Sequence, residues 1–184
     1  FKYEAERAES ELTAVDFQVG RLGTITPVAR LRPVQLAGTT VSNASLHNFD
    51  QIERLDVRIG DTVVVEKAGE IIPQVVRVVM EKRPSEAEPV VPPAQCPQCG
   101  GPVQRDEGGV HLRCVNPECA AQLREGLRFF AGRNQMDIEN LGPALIDQLV
   151  SQGRVRHFAD LYDLTAGDLM GLERMAEKSA RNVI

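Results

Sequence analysis

Residues 12–41 read LTAVDFQVGRLGTITPVARLRPVQLAGTTV, and their alternation sets the architecture. Val15, Phe17 and Val19 fall on one face of a first strand, as a period of two requires. Gly20 and Gly23 flank Arg21 in a turn. Residues 24–31 and 34–41 then read as two more strands, with Gly38 an expected bulge. Beyond them the period changes. Leu46, Phe49, Ile52 and Leu55 recur every three residues and predict one apolar helix face, with Ser42 or Asn43 as the expected cap. Residues 62–67 (TVVVEK) return to β. Ala68-Gly69-Glu70 turns the chain, and residues 71–80 (IIPQVVRVVM) predict a fifth strand in which Pro73 marks an edge or bulge.

Three strands, a helix and two strands is the order of an OB barrel, a fold whose curved face often binds nucleic acid. An unrelated small barrel fits the same order, and the fold by itself proves no function. Residues 82–95 (KRPSEAEPVVPPAQ) hold four prolines and no apolar period, so an extended linker is expected there. Further on, Leu123, Leu127 and Phe130 line one helix face. The last fifty residues carry an internal repeat. IENLGPALIDQLV (138–150) and LERMAEKSARNVI (172–184) match at an offset of 34, with apolar positions paired at 138/172, 141/175, 149/183 and 150/184. Each copy predicts a short helix, a tight hairpin at Gly142 or Ala176, and a second helix. Thr165 and Asp168 form an expected capping box before the second copy. Two copies are too few for a solenoid.

Four cysteines stand in a C-x2-C-x14-C-x4-C pattern: Cys96, Cys99, Cys114 and Cys119. Each close pair suits a tight turn that presents two thiolates. Four thiolates close a tetrahedron around Zn²⁺ and leave no place for a catalytic water, so the expected metal role is structural. Gly100-Gly101 permits a sharp knuckle. Two disulfides, or unliganded buried thiols, are the other readings. His111 is a spare ligand for a shell already full, and His47 and His157 read as ordinary hydrogen-bonded or surface histidines.

Composition bounds the rest. Of 184 residues 42% are hydrophobic but only 4% aromatic, with no Trp, so the cores must be aliphatic. The net charge is −5. No segment is strongly basic, so charge alone does not announce nucleic acid. There is no secretory apolar region and no apolar run near the length of a membrane span. Clustered cysteines argue against a dispersed disulfide framework and fit a reducing cytoplasm. A start at Phe1 and an end at Ile184, inside an apolar helical pattern, read as a piece of a longer protein.

A hairpin that leads into a helix start aims free backbone amides at an anion, and paired hairpins can grip both strands of a duplex without reading bases. A plain helical hairpin in a protein interface fits the same pattern. Arg21 and Lys67 can face a phosphate backbone, although single surface charges are usually just solvated.

The assembled order resembles the bacterial NAD-dependent DNA ligases. Residues 17–48 (FQVGRLGTITPVARLRPVQLAGTTVSNASLHN) and 67–75 (KAGEIIPQV) are similar to the two halves of that family's OB domain. CPQCG through CVNPECAAQ (96–122) is similar to its zinc finger, and MDIENLGPALIDQLV with LTAGDLMGLERMAEKSA is similar to its first two helix-hairpin-helix units. The resemblance implies a multidomain α+β chain. Its parts are the end of an adenylation domain with an OB domain over 1–81, a Pro-rich linker over 82–95, a four-cysteine zinc finger over 96–122 and truncated helix-hairpin-helix repeats over 123–184.

It also implies roles. Lys2, within Phe1-Lys2-Tyr3, takes the place of a lysine that touches the phosphate of the bound adenylate, a catalytic and cofactor-binding role. Arg21, Leu22, Gly23, Lys67, Ile71 and Ile72 would meet the minor groove at a nick, with the apolar pair as a wedge. Gly142 would hold phosphate. The parent enzyme would use NAD and Mg²⁺ to seal nicks in duplex DNA in replication and repair. No K-x-D-G lysine is present, so the piece is expected not to ligate alone. Nicked duplex DNA is the expected partner, a monomer the expected state, and no membrane is involved. Ala176 departs from the usual hairpin glycine, and Ala120 from a common proline. A non-catalytic DNA-binding module of another repair protein, and a zinc-stabilised protein-interaction fragment, are the alternatives.

Overall fold

The computed structural model describes residues 6–67 and 72–184. The first strand, β1 (Glu6–Val19), is longer than its alternating core suggests. Its second half pairs antiparallel with β2 (Thr24–Leu36), and its first half pairs with β5 (Thr62–Lys67). A register shift between Leu12 and Ala14 lets one strand serve both neighbours by bending there. β3 (Thr39–Ser45) pairs with β2, and β6 (Gln74–Val78) pairs with β5. A single parallel bridge between Ser45 and Gln74 closes the ring, reinforced by the Ser45 amide donating to the Pro73 carbonyl at 2.7 Å. These five strands make a closed OB barrel. Its core is aliphatic, as composition requires, with Leu12, Leu46, Val63, Val65 and Val75 all at 1% exposure or less. Each such side chain contributes about 1.5–3 kcal/mol by leaving water.

Four local expectations change. Gly38 is not a bulge. It is the second residue of the β2–β3 hairpin turn, after Ala37, and both have positive φ (49° and 71°), the backbone of a primed turn whose twist matches the strands. The helix α1 (Phe49–Leu55) is capped by Asn48, whose side chain accepts from the Gln51 amide, not by Ser42 or Asn43. Leu46 precedes that helix and drops into the barrel core instead, so part of the threefold spacing comes from the strand end. The predicted strand over 71–80 narrows to β6, and residue 71 lies outside the described residues, as does the turn at 68–70.

The proline-rich segment is fastened at its start. Arg83 donates through Nε and Nη2 to the fully buried Asp61 carboxylate at 2.8 and 2.9 Å, and through Nη1 to Asp56 at 2.5 Å. Those carboxylates hold the guanidinium proton well above its ordinary range. Short strands β4 (Arg58–Ile59) and β7 (Glu88–Pro89) pair as well. The segment therefore runs along the barrel wall for its first half.

The sheet continues past the barrel. β8 (Val103–Arg105) and β9 (Leu112–Cys114) form a hairpin, and β9 pairs with β2 at Thr24↔Arg113 and Ile25↔Leu112. Four α-helices follow among the described residues: α2 (Ala120–Phe130), α3 (Pro143–Ser151), α4 (Ala166–Met170) and α5 (Glu177–Arg181). Their core is a second aliphatic cluster around Leu127, Ile146, Leu149 and Leu169. The short helix expected before Gly142 is a turn. Gly126 lets the ring of Phe158 lie against α2, where a Cβ would come within 2.8 Å of its tip. No described helix is long and apolar enough to cross a membrane.

Candidate metal centre and the turns around it

Cys96 and Cys99 sit on one knuckle and Cys114 and Cys119 on another. Gly100, at φ 68°, donates its amide to the Cys96 carbonyl at 2.9 Å, and the Cys96 amide donates to the Gly101 carbonyl at 2.9 Å. A side chain on Gly101 would strike Asn116 at 2.9 Å, so the two knuckles close on each other only through glycine. The four sulfurs lie within 4.8 Å of one another. Two of the separations are 4.0 Å (Cys96–Cys119) and 3.6 Å (Cys99–Cys114). A disulfide needs about 2.05 Å, whereas Zn–S bonds of about 2.3 Å place tetrahedral sulfurs roughly 3.8 Å apart. The cysteines are free thiols set at a zinc spacing, and this is a structural zinc site. His111 is not among the clustered ligands.

The surroundings prepare one sulfur for charge. The Asn116 amide and the Gly101 N–H each reach Cys99 Sγ at 3.4 Å. Led by the Asn116 bond, these lower the Cys99 thiol to about 6. Burial pushes Cys114 up to about 12 and raises Cys119 as well. Backbone amides reach both sulfurs without offsetting that burial, and a bound zinc ion would favour their thiolate forms. Cys119 is also the residue that starts α2. Gln122, one turn in, donates to the carbonyls of Cys114 and Asn116 at 3.1 Å each, so the helix is tied to the knuckle.

The β8–β9 hairpin and the two cysteine knuckles, together the zinc ribbon, share a third core with the barrel, with Val19, Ile25, Cys114 and Ala121 among its members and Phe17 and Phe49 packed beside it, their rings 5.7 Å apart. Arg105 pairs with Asp50 of α1. The β1–β2 turn (residues 20–23) lies on this seam. Gly23 is buried there at φ 78°, its carbonyl accepts the Cys114 amide at 2.9 Å, and a Cβ would meet the Cys114 oxygen at 2.3 Å. That contact accounts for the glycine. Leu22 stands out at 65% exposure. The Arg21 guanidinium stacks over the Phe129 ring of α2, 3.8 Å from its centre. Ile72 is 71% exposed at the mouth of β6. Lys67, at the end of β5, donates to Thr39 at 3.0 Å. Lys2 and Ile71 lie outside the described residues.

The repeat is stronger in the backbone than in the letters. Asn140 and Arg174, 34 residues apart, are both left-handed at φ 65° and 62°. Gly142 and Ala176 begin α3 and α5 with nearly the same angles, −82°/173° and −84°/169°. Neither start has a side-chain cap. The hairpins are joined by Gln148, which accepts from the Glu173 amide at 2.7 Å and donates to its carbonyl at 3.3 Å. The Thr165–Asp168 capping box is present, with the carboxylate accepting from the Thr165 amide at 2.9 Å and its hydroxyl at 2.6 Å. Sequence reasoning missed Arg113, Asn116, Gln122 and Phe129. Only Asn116 carried a signal, as a short amide inside a cysteine knuckle.

Two known families match this chain. Residues 9–87 match the NAD-dependent DNA ligase OB-fold domain, and residues 95–121 match the NAD-dependent DNA ligase C4 zinc finger domain. Over its whole length the chain is 55% identical to a DNA ligase of Chlorobaculum parvum and 54% identical to those of Chlorobaculum tepidum and Methylacidiphilum infernorum. It spans only 27%, 27% and 26% of those relatives.

Proposed function

This chain belongs to the NAD-dependent DNA ligases, and from that premise we propose that it is the part of such an enzyme that engages a nicked duplex. What carries the reading is the pair of matched domains in their expected order, within a chain similar to DNA ligases from end to end. The geometry supports it. The β1–β2 turn offers Arg21 and Leu22, and the mouth of β6 offers Ile72, with both apolar side chains well exposed. These side chains, with Lys67 and Ile71, meet the minor groove in this reading, and Gly23 seats the turn that carries two of them. An apolar wedge beside cations deforms a duplex without reading its bases.

The hairpins hold phosphate. Nothing lies within 4 Å of where a Gly142 Cβ would stand, so the fold does not itself need that glycine. Close approach of a DNA backbone to the uncapped start of α3 gives the reason for it. Ala176 adopts the same backbone, so the second hairpin keeps its shape and loses only some closeness. These two copies act as helix-hairpin-helix units, and the parts divide near residues 81, 95 and 122.

In the whole enzyme, NAD supplies an adenylate that passes through a lysine to the 5′-phosphate of the nick, after which the 3′-hydroxyl displaces AMP, with Mg²⁺ spreading the charge. Within this stretch Lys2 alone serves that chemistry, through the adenylate phosphate. Without a K-x-D-G lysine in its sequence, this stretch alone binds and does not ligate. It works as a monomer in the cytoplasm, in replication and repair. The test is fluorescence anisotropy with zinc-loaded protein on nicked and intact duplexes across a salt series. Affinity that falls linearly in log salt, and is higher for the nick, supports the reading. Absence of binding at low salt overturns it.

A further inference from the structure

The exposed β1–β2 turn is braced from outside the barrel, and the brace runs through one side chain. Arg113 lies on β9, next to the metal ligand Cys114. Its Nη1 donates to the Leu22 carbonyl at 3.1 Å and to Thr24 Oγ1 at 2.8 Å, the two ends of the turn's second half. Its Nε and Nη2 donate to the two oxygens of Asp106 at 2.6 and 2.9 Å. The guanidinium is thus a planar fork with one side on the zinc ribbon's own hairpin and the other on the turn. Gly23 fits between them, held by the Cys114 amide. Leu22 has its backbone fixed and its side chain in solvent.

A turn that must present a wedge gains affinity by being set before the ligand arrives. We propose that Arg113 is a positioning residue for duplex binding: it transmits the order of the zinc ribbon to the Arg21–Leu22 turn and touches no phosphate itself. The inference rests on the reading that this turn meets DNA. It assigns the ribbon a task beyond linking the barrel to the helices.

The experiment is anisotropy with the full chain, zinc-loaded, comparing wild type, Arg113→Met, Leu22→Ala and the double variant on nicked and intact duplexes at several salt concentrations. Arg113→Met should bind the nicked duplex about tenfold more weakly, the scale of losing one charge-assisted hydrogen bond. Its slope against log salt should stay that of wild type, because no phosphate contact is lost. In the Arg113→Met background, Leu22→Ala should cost little more, since the side chain it removes is already misplaced. Zinc content should remain one ion per chain. Should Arg113→Met lose zinc, Asp106→Asn takes its place: it loosens the fork from the ribbon without touching the turn, and a smaller loss at unchanged slope is expected.

Wild-type affinity in the variants, or strict additivity with Leu22→Ala, overturns the positioning role alone. A slope that falls by about one unit makes Arg113 a direct phosphate contact and overturns it too. Failure of the wild-type chain to bind any duplex overturns the duplex-facing reading and this role with it.

Discussion

The barrel and the zinc ribbon share one sheet, yet they are held together by different physics. The barrel closes on itself. Among the described residues its five strands, α1 and the connections beside them bury thirteen residues around Leu12, Leu46 and Val63, enough aliphatic surface to order the strands without help. The ribbon offers two three-residue strands, and three of the six buried residues in its seam are cysteines. With so little apolar area, order in the ribbon comes from the metal and from being attached to β2. A single fold can thus join a part that would survive alone to one that would not. The joint is where the exposed turn sits.

Four perturbations separate the two halves of this comparison. The largest is removal of metal, by chelation or by Cys119→Ser. Loss of zinc binding forfeits on the order of 10 kcal/mol of local order. Amides from 96 to about 125 should then exchange freely with solvent while those of β1, β2 and β5 stay protected. Hydrogen exchange read by mass spectrometry checks this, and collapse of barrel protection would mean that the barrel depends on the ribbon. Next comes Arg83→Met. It strands the fully buried Asp61 carboxylate and should cost about 4 kcal/mol, read from denaturant unfolding, with the barrel affected and zinc content unchanged.

Leu12→Ala opens a cavity at the bend of β1 and should cost about 3 kcal/mol. It too should spare the metal, which a chromogenic chelator titration would show. The smallest effect is Thr165→Ala in the helical region, about 1 kcal/mol of lost capping. Its pH dependence carries a sign. The Thr165 hydroxyl and then its amide hold the Asp168 carboxyl below the usual carboxylate range. The capping interaction is therefore complete above the unfolded value near 4 and fades as pH falls through the lower folded value. The difference between Thr165→Ala and wild type should narrow toward pH 2, where the hydroxyl keeps only the Asp168 amide as a partner, in thermal melts followed by circular dichroism.

The barrel is legible in the sequence because a period of two survives in Val15, Phe17 and Val19 whatever the strand's neighbours are. The metal site is legible because four cysteines at knuckle spacing leave few other chemistries. What escapes reading is long-range. Leu46 keeps helical spacing with Phe49 and Ile52 by coincidence, since a strand end and a helix each place an apolar residue toward one core. The Pro-rich run gives no hint that Arg83 clasps Asp61, 22 residues away. Arg113 reads as one more surface cation, and its partners in the turn, Leu22 and Thr24, are set by the β2–β9 pairing that no local pattern encodes. Ala176 reads as a weakness of the second hairpin. The backbone there lies at φ −84°, open to any residue, so the missing glycine changes what can approach and not how the chain turns.

The pairing of β9 with β2 also bears on how the molecule avoids sticking to copies of itself. A closed barrel has no edge to offer, but a sheet that extends beyond it must end somewhere, and it ends at β8. That strand is three residues long. Pro102 precedes it and can donate no hydrogen bond, and Gln104 and Arg105 carry polar, exposed side chains. A short, polar border is a poor template for another strand. The extension therefore gives the protein a second structural unit without giving fibril growth a place to begin.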